Sequence, residues 1–260
     1  MDKKSWRGEF NINDVQKPVP GTALCKWAVW IAAAGIVVTL IGILGAAALG
    51  PFAAMLSLTL GSLLLIIGAM VGAIGLVRSR GTAGQASFPL TAGALTLGVA
   101  AIVNAVVFIS SGGGPPIHDI STDTVSPPEF VAVVELRGPN DNSPKYAGDE
   151  SARLQLEAYP DIETIVLLNS RGFVFEQALT VAEDMGWEIV ASNADEGRIE
   201  ATATTPWAGF KDDVVIRIQA RGPEIHVDLR SKSRLGRGDM GVNARRIRGF
   251  RDRLVAAVEP

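Results

Sequence analysis

The densest chemistry in the chain lies in one run near its carboxy end, Arg230-Ser-Lys-Ser-Arg-Leu-Gly-Arg-Gly-Asp-Met-Gly-Val-Asn-Ala-Arg-Arg-Ile-Arg248. Its pattern is that of a strand ending, a glycine-rich loop turning and a helix starting. Backbone N–H groups at a helix start, joined by guanidinium groups, suit an anion. The candidate binding set is Arg230, Ser231, Ser233, Arg234, Arg237, Asn243 and Arg246, with Asp212, Asp213, Asp228 and Asp239 as supporting acids. The run lacks the terminal Gly-Lys-Ser/Thr of a Walker loop and is not a dinucleotide fingerprint. The competing reading is structural: Arg230, Arg234 and Arg246 pair with those same acids and merely hold the loop.

Catalytic arrangements score poorly. No Gly-x-Ser-x-Gly and no His-Glu-x-x-His occurs. His118 and His226 are the only histidines, too few for a usual zinc site unless carboxylates complete it. Asp212 and Asp213 follow Lys211 and would suit a cation or an acid–base pair. Neighbours on a strand point to opposite faces, however, so the two cannot easily share one task. No catalytic residue, metal or cofactor is assigned.

The elements that must position these groups are legible from Thr164 onward. Thr164–Leu168 is a β-branched run. Ser170 can cap a helix whose Val174, Ala178, Val181, Ala182 and Met185 share one face up to Gly186. Strands are expected at 187–191, 198–205, 213–221 and 225–233, with Gly222-Pro223 as a hairpin turn. A last helix runs over 242–258 with Ile247, Phe250, Leu254 and Val258 as its stripe. Upstream, 117–128 is expected as an irregular arm, 129–137 is ambiguous between strand and helix, and 150–159 forms a short helix.

Alternation divides the strands into two faces. Ile199, Ala201, Ala203, Val214, Ile216, Ile218, Ile225, Val227 and Leu229 make an apolar face. Glu200, Thr202, Thr204, Arg217, Gln219, Arg221, His226, Asp228, Arg230 and Lys232 make the other. Plain solvation is the expectation for that second face, with a polar binding surface as the alternative. The final helix carries Arg245, Arg246, Arg248, Arg251 and Arg253, which suit water or anionic lipid headgroups at about 1 kcal/mol per base.

The front of the chain is of another kind. Trp27–Leu49, Phe52–Val77 and Phe88–Ser110 hold no Asp, Glu, Lys, Arg or His, and each is long enough to cross a bilayer core. Lys3, Lys4, Arg7, Lys17 and Lys26 precede the first stretch, and Arg78 and Arg80 follow the second. Short-loop bases stay in the cytoplasm, so three spans would place the carboxy-terminal domain outside it, in a periplasm. A cleaved signal peptide does not fit a first stretch so long and so closely followed by others. Cys25 is the only cysteine and precedes the apolar run, which excludes a disulfide in the exported part. The lack of any ionisable residue within the three stretches argues against an ion pathway, and Asn104, their one strongly polar side chain, suits an interhelical hydrogen bond. Gly68 with Gly72, and Ala94 with Gly98, suit close packing of the helices on one another.

The divisions are thus a cytoplasmic segment at 1–26, a three-helix anchor at 27–110, a Ser/Gly/Pro linker at 111–116 and a soluble domain at 117–260. That domain holds 17 Lys and Arg against 24 Asp and Glu, an acidic balance that argues against nucleic acid.

Several motifs resemble a family catalogued among the domains of unknown function as number 1499. They are His118-Asp-Ile-Ser-Thr-Asp-Thr124, Pro127-Pro-Glu-Phe130, Tyr159-Pro-Asp-Ile162, Met185-Gly-Trp187, Ile199-Glu-Ala-Thr-Ala-Thr-Thr-Pro-Trp207, Gly209-Phe-Lys-Asp-Asp-Val214, Val227-Asp-Leu-Arg-Ser-Lys-Ser-Arg234 and Gly241-Val-Asn-Ala-Arg-Arg-Ile-Arg248. The resemblance covers roughly 117–258. It implies a bacterial or plastid protein, often membrane-attached or exported, with no assigned activity.

The sequence expectation is a multi-pass α-helical anchor of three spans carrying an extracytoplasmic α+β domain, with an antiparallel sheet and helices on one face. Its expected role is a binding or scaffold protein of the inner membrane. The bilayer is its partner, together with an anionic lipid, an envelope metabolite or a partner protein. The alternatives are an envelope enzyme, hydrolase-like, using Asp212, Asp213, His226 or Asp239, and an assembly factor for a membrane complex.

Overall fold

A computed structural model of the chain describes residues 22–78, 92–102, 114–206 and 208–259. Contacts divide it into two units, one of residues 1–45 with 53–106 and one of 46–52 with 107–260.

The first unit is helical. α1 (Thr22–Leu44) is followed by a turn at Gly45; the next four residues form a short helix, α2 (Ala46–Leu49), within the stretch 46–52 grouped with the second unit. Gly50 takes φ +81, and Pro51 then opens α3 (Pro51–Arg78), where its missing N–H leaves no bond unmade. The first expected span, Trp27–Leu49, therefore begins earlier and breaks at Gly45, where glycine weakens helix continuity. Ala23–Leu44 and α3 are both long and apolar enough to cross a membrane. Of the third expected span, Phe88–Ser110, only α4 (Ala92–Ile102) is described, and it falls short of a bilayer core. The described residues thus carry two candidate spans and not three; the rest of that stretch, Asn104 included, lies outside them.

The helices of this unit meet through small residues. A Cβ at Gly35 would lie 2.9 Å from the Gly61 carbonyl, and one at Gly68 would lie 3.1 Å from that of Ala28. Gly98 of α4 packs equally closely on Leu65 and Ala69. Without a hydrophobic drive between helices in lipid, such backbone proximity supplies the packing energy. Gly68 and Gly72 are buried within the unit, as expected for helices packed on each other.

The second unit is an antiparallel sheet with helices. Its strands are β1 (Asp119–Ser121), β2 (Ile165–Leu167), β3 (Glu188–Asn193), β4 (Arg198–Thr204), β5 (Lys211–Arg221) and β6 (Glu224–Ser233). The order is β1-β6-β5-β4-β3, and β2 also pairs with β6. β1 faces Arg230–Lys232 and β2 faces Ile225–Val227, so the two short strands share one edge of β6. β1 falls inside what the sequence suggested was an irregular arm. Three residues are too few to show alternation, and their partner lies more than a hundred positions away.

The apolar face is the one that alternation selects. Ile199, Ile216, Ile218, Val227 and Leu229 are buried with α6 (Arg171–Asp184) and α7 (Val242–Val258). Ser170 caps α6 by accepting from the Phe173 N–H at 3.4 Å. Ile247, Phe250, Leu254 and Val258 of α7 all point into this core, where Phe250 stacks on Trp187 at 5.6 Å between ring centroids. Each such side chain contributes about 1.5–3 kcal/mol by leaving water. α5 (Asp149–Ala158) sits by β1, where Gln155 exchanges hydrogen bonds with the Ser121 backbone at 2.9 and 2.6 Å.

Candidate functional site

The other face of the sheet is covered over half of its residues. Glu200, Thr202, Asp228, Arg230 and Lys232 are each 0–2% exposed, which corrects the expectation of a wet surface there, while Thr204, Gln219 and Arg221 stay exposed. The segment from Thr122 to Ala147, with a short 3-10 helix at Ala132–Leu136, lies across them. Its main chain takes the place of water. Arg230 donates to the carbonyls of Pro128 and Pro144, and Lys232 to that of Lys145. Arg234 donates to Leu136, Arg137 to Asn142 and Arg217 to Ser126. In return, Glu200 Oε2 accepts from the N–H groups of Val131 and Val133 at 3.0 and 3.1 Å. A buried ion persists only when its remaining donors or acceptors are matched in this way.

Three acids anchor the layer. Asp119 of β1 accepts from Arg230 Nε and Nη2 at 2.8 and 2.9 Å, from Lys232 Nζ at 2.9 Å and from the Ala147 N–H. Phe130 lies under the Arg230 guanidinium, 4.7 Å from ring centroid to Cζ. Burial holds the Lys232 ammonium below its ordinary pKa, against the pull of Asp119 and with the help of Arg230 and Arg137. Asp213 accepts from Arg234 at 2.7 Å, from Arg137 at 2.8 Å and from Thr202 at 2.9 Å. Asp228 accepts from Thr122 and Thr164 on one oxygen and from Arg217 on the other. Arg217 also reaches Asp123 at 2.9 Å. Burial would raise the Asp123 carboxyl, but the Ser126 and Val125 N–H groups and Arg217 outweigh it and hold it low.

A separate polar knot joins the sheet to α7. Asn243 links Ser231 and Ser233, and Arg246 reaches Ser231, Asn243 and Asp212, the last at 2.6 Å. Asp239 closes the helix start. One oxygen accepts from the Gly241 N–H and the other from the Asn243 N–H, both at 2.8 Å. Burial raises the Asp239 carboxyl above its ordinary value, nearby Asp212 adds to this, and the two N–H donors oppose it.

The structure therefore distributes the seven residues of the candidate anion site over two layers and an exposed loop. Arg230 and Arg234 lie under the crossing segment. Ser231, Ser233, Asn243 and Arg246 lie together on the α7 side. Arg237 is exposed in the loop, where its carbonyl stands 3.2 Å from His118 Nδ1. Asp213 serves Arg234, Asp212 serves Arg246 and Asp228 serves Arg217, while Asp239 takes the N–H groups that an anion would need. His226 pairs with Glu224 at 3.1 Å. On α7, Arg248 and Arg251 turn to Asp161, whereas Arg245 and Arg253 make no ion pair among the described residues. No group of three or more metal-ligating side chains occurs among the described residues. Asp119, Arg137 and Arg198 are ionic partners that local pattern does not reveal.

Residues 119–254 match the family described as protein of unknown function DUF1499. The chain belongs to the DUF1499 family. The matched stretch opens on the first residue of β1 and closes within α7, so the DUF1499 domain takes in the sheet, the crossing segment and both polar layers. No curated protein matches the chain.

Proposed function

We propose that this DUF1499 protein is a membrane-anchored binding or scaffold protein. In this reading its domain stands outside the cytoplasm and recognises an anionic group on a lipid, an envelope metabolite or a partner protein. Two apolar helices of spanning length support the anchor, and the bases before the first and after the second support a cytoplasmic location for both ends of that pair. The domain then stands outside only if the third apolar stretch, 88–110, makes a further crossing.

The observation that carries the reading is a division among the basic side chains. Arg230, Lys232, Arg234 and Arg246 are consumed by internal acids, whereas Arg237 and Arg245 flank the closed start of α7 with no acid partner among the described residues. Two exposed guanidiniums on one loop and helix start can meet phosphate or carboxylate without breaking any internal pair. Each contributes about 1 kcal/mol at an anionic surface, roughly a fivefold effect.

The test places the full chain in nanodiscs of phosphatidylcholine, with or without phosphatidylglycerol, and follows hydrogen exchange over 234–245. Protection that grows with the anionic lipid and is lost in the Arg237→Ala, Arg245→Ala double variant is the expected result. Equal exchange in both lipids, and unchanged exchange on adding anionic envelope extracts, would sink the reading.

A further inference from the structure

One end of the sheet gathers the loops through which the chain runs on to its apolar stretches. β5 starts there at Lys211, β6 ends there at Ser233 opposite Asp212, and β1 starts there at Asp119 opposite Lys232. Backbone bonds tie these loops together. The Arg234 N–H donates to the Lys211 carbonyl at 3.0 Å, and the Asp239 N–H to that of Ile117 at 3.1 Å. The linker threads against them. A Cβ on Gly114 would stand 2.5 Å from Tyr159 Oη and 3.3 Å from the Gly241 nitrogen, and one on Gly238 would stand 3.4 Å from Pro116. Three residues, 111–113, separate Gly114 from the uncharged stretch that ends at Ser110. At about 3.5 Å per residue, Gly114 can stand no more than about 14 Å from that stretch. At the same end, Phe210 meets Phe52 edge to face at 6.1 Å between centroids, within the stretch 46–52 that belongs to the same unit.

The groups this end presents are of two kinds. Met240 takes φ +51, the one non-glycine residue with positive φ among the described residues, and is 38% exposed. A backbone conformation that costs energy thus holds a long apolar side chain partly out of the core. Phe210 is half-buried in the neighbouring loop. Lys211, Arg237 and Arg245 are exposed with no acid partner among the described residues, and Arg245 donates to the Met240 carbonyl at 3.1 Å. The acids of this end are engaged elsewhere. Asp212 takes Arg246, Asp239 takes the Gly241 and Asn243 N–H groups, and Asp141 takes that of Gly138.

We infer that this end of the sheet lies on the bilayer that holds the chain's own apolar helices. Met240 and Phe210 stand at the level of the headgroups, and Lys211, Arg237 and Arg245 meet lipid phosphate. Apolar side chains interspersed with bases are what an interfacial surface needs, the first leaving water and the second meeting anionic lipid. The leaflet is the one away from Lys26 and Arg78, because Phe52 follows the uncharged turn between the first two apolar helices. The inference rests on the reading of the chain as membrane-anchored. It names the bilayer, rather than a metabolite or a partner protein, as what Arg237 and Arg245 meet.

Fluorescence quenching tests it, with the full chain in nanodiscs of phosphatidylcholine and phosphatidylglycerol. A polarity-sensitive dye is attached to a Cys25→Ala background carrying Met240→Cys, Phe210→Cys or Arg221→Cys. Arg221 is exposed at the hairpin turn of the opposite end. Phosphatidylcholine with a nitroxide on its headgroup should about halve the emission from 240 and 210 and leave that from 221 unchanged. Met240 and Arg221 are exposed, so their variants should keep the parent's unfolding midpoint, and position 240 decides the matter if Phe210→Cys loosens the fold. The inference falls if 240 is quenched no more than 221. If the chain is recovered in the discs while 240 stays unquenched, the anchored reading stands without it. Protection of 234–245 by envelope extracts then assigns the two arginines to a metabolite or a partner protein. If the chain elutes apart from the discs, both fall.

Discussion

Asp212 and Asp213 are neighbours on β5, and each neutralises a different layer of the domain. Asp212 takes Arg246 of α7 at 2.6 Å, while Asp213 takes Arg234 and Arg137 on the opposite face at 2.7 and 2.8 Å. The two-residue period of a strand enforces this split. Removing Asp213 leaves two buried guanidiniums without a counter-charge, whereas Arg246 without Asp212 keeps Ser231 and Asn243. Asp213→Asn should cost about 3–5 kcal/mol, and Asp212→Asn clearly less. Hydrogen exchange of the β5 and β6 amides measures both, and equal losses would contradict the two-layer picture.

The two tyrosines should titrate late. Burial and then the Asp119 carboxylate push the Tyr146 phenol up to about 12, and burial with Asp239 raises Tyr159. A phenol that holds its proton more tightly when folded contributes stability that is whole below pH 10. That stability is lost as pH rises towards about 12. Tyrosinate absorbance should therefore appear above pH 10 in the folded chain and near pH 10 after unfolding. The Tyr146 hydroxyl is also buried without a partner, so Tyr146→Phe should hold or raise stability by about 1 kcal/mol at neutral pH.

At the acid end, Arg248 donates to Asp161 through Nε and Nη2, both at 2.6 Å, and holds its carboxyl at about 2. A depressed carboxyl contributes stability above its ordinary value, and this is lost as pH falls from about 4 towards 2. The pair is half exposed, so solvent screening limits it to less than about 1 kcal/mol. Asp161→Asn should remove that acid-sensitive fraction from a thermal-unfolding series and shift the midpoint by only a few degrees. A loss that is the same at pH 2 and pH 7 would show that packing, not charge, is at stake.

Gly197 ends the turn between β3 and β4 at φ +67, and a Cβ there would stand 2.2 Å from the Ile218 carbonyl. That carbonyl is backbone and cannot step aside. Gly197→Ala combines left-handed strain of about 1–2 kcal/mol with this clash. It should cost more than Gly222→Ala, which has the same sign of φ but open space around it. Comparative denaturation of the two variants decides the point.

Much of the domain was legible in the sequence because its signals are local. Ser170, Gly186 and the 3.6-residue stripe mark α6 and α7, and alternation over β4, β5 and β6 assigns the apolar face correctly. The opposite face misled because alternation says which residues point away from one core, not whether a second layer covers them. Asp119 lies 111 positions from Arg230, and Arg137 lies 76 from Asp213. No window of sequence contains both members of either pair. The competing structural reading of the arginine-rich run named the right arginines, and it paired Arg234 and Arg246 with acids on the sheet. It lacked Asp119, because a three-residue strand carries no period to detect.

The crossing segment precedes in the chain the strand that fastens it. Residues 122–147 leave the ribosome well before Arg230, Lys232 and Arg234, so this strap has nothing to buckle onto until the last hairpin is made. Closure over such a separation is slow. Until then Phe130 and Val133, which end up covered, stand bare.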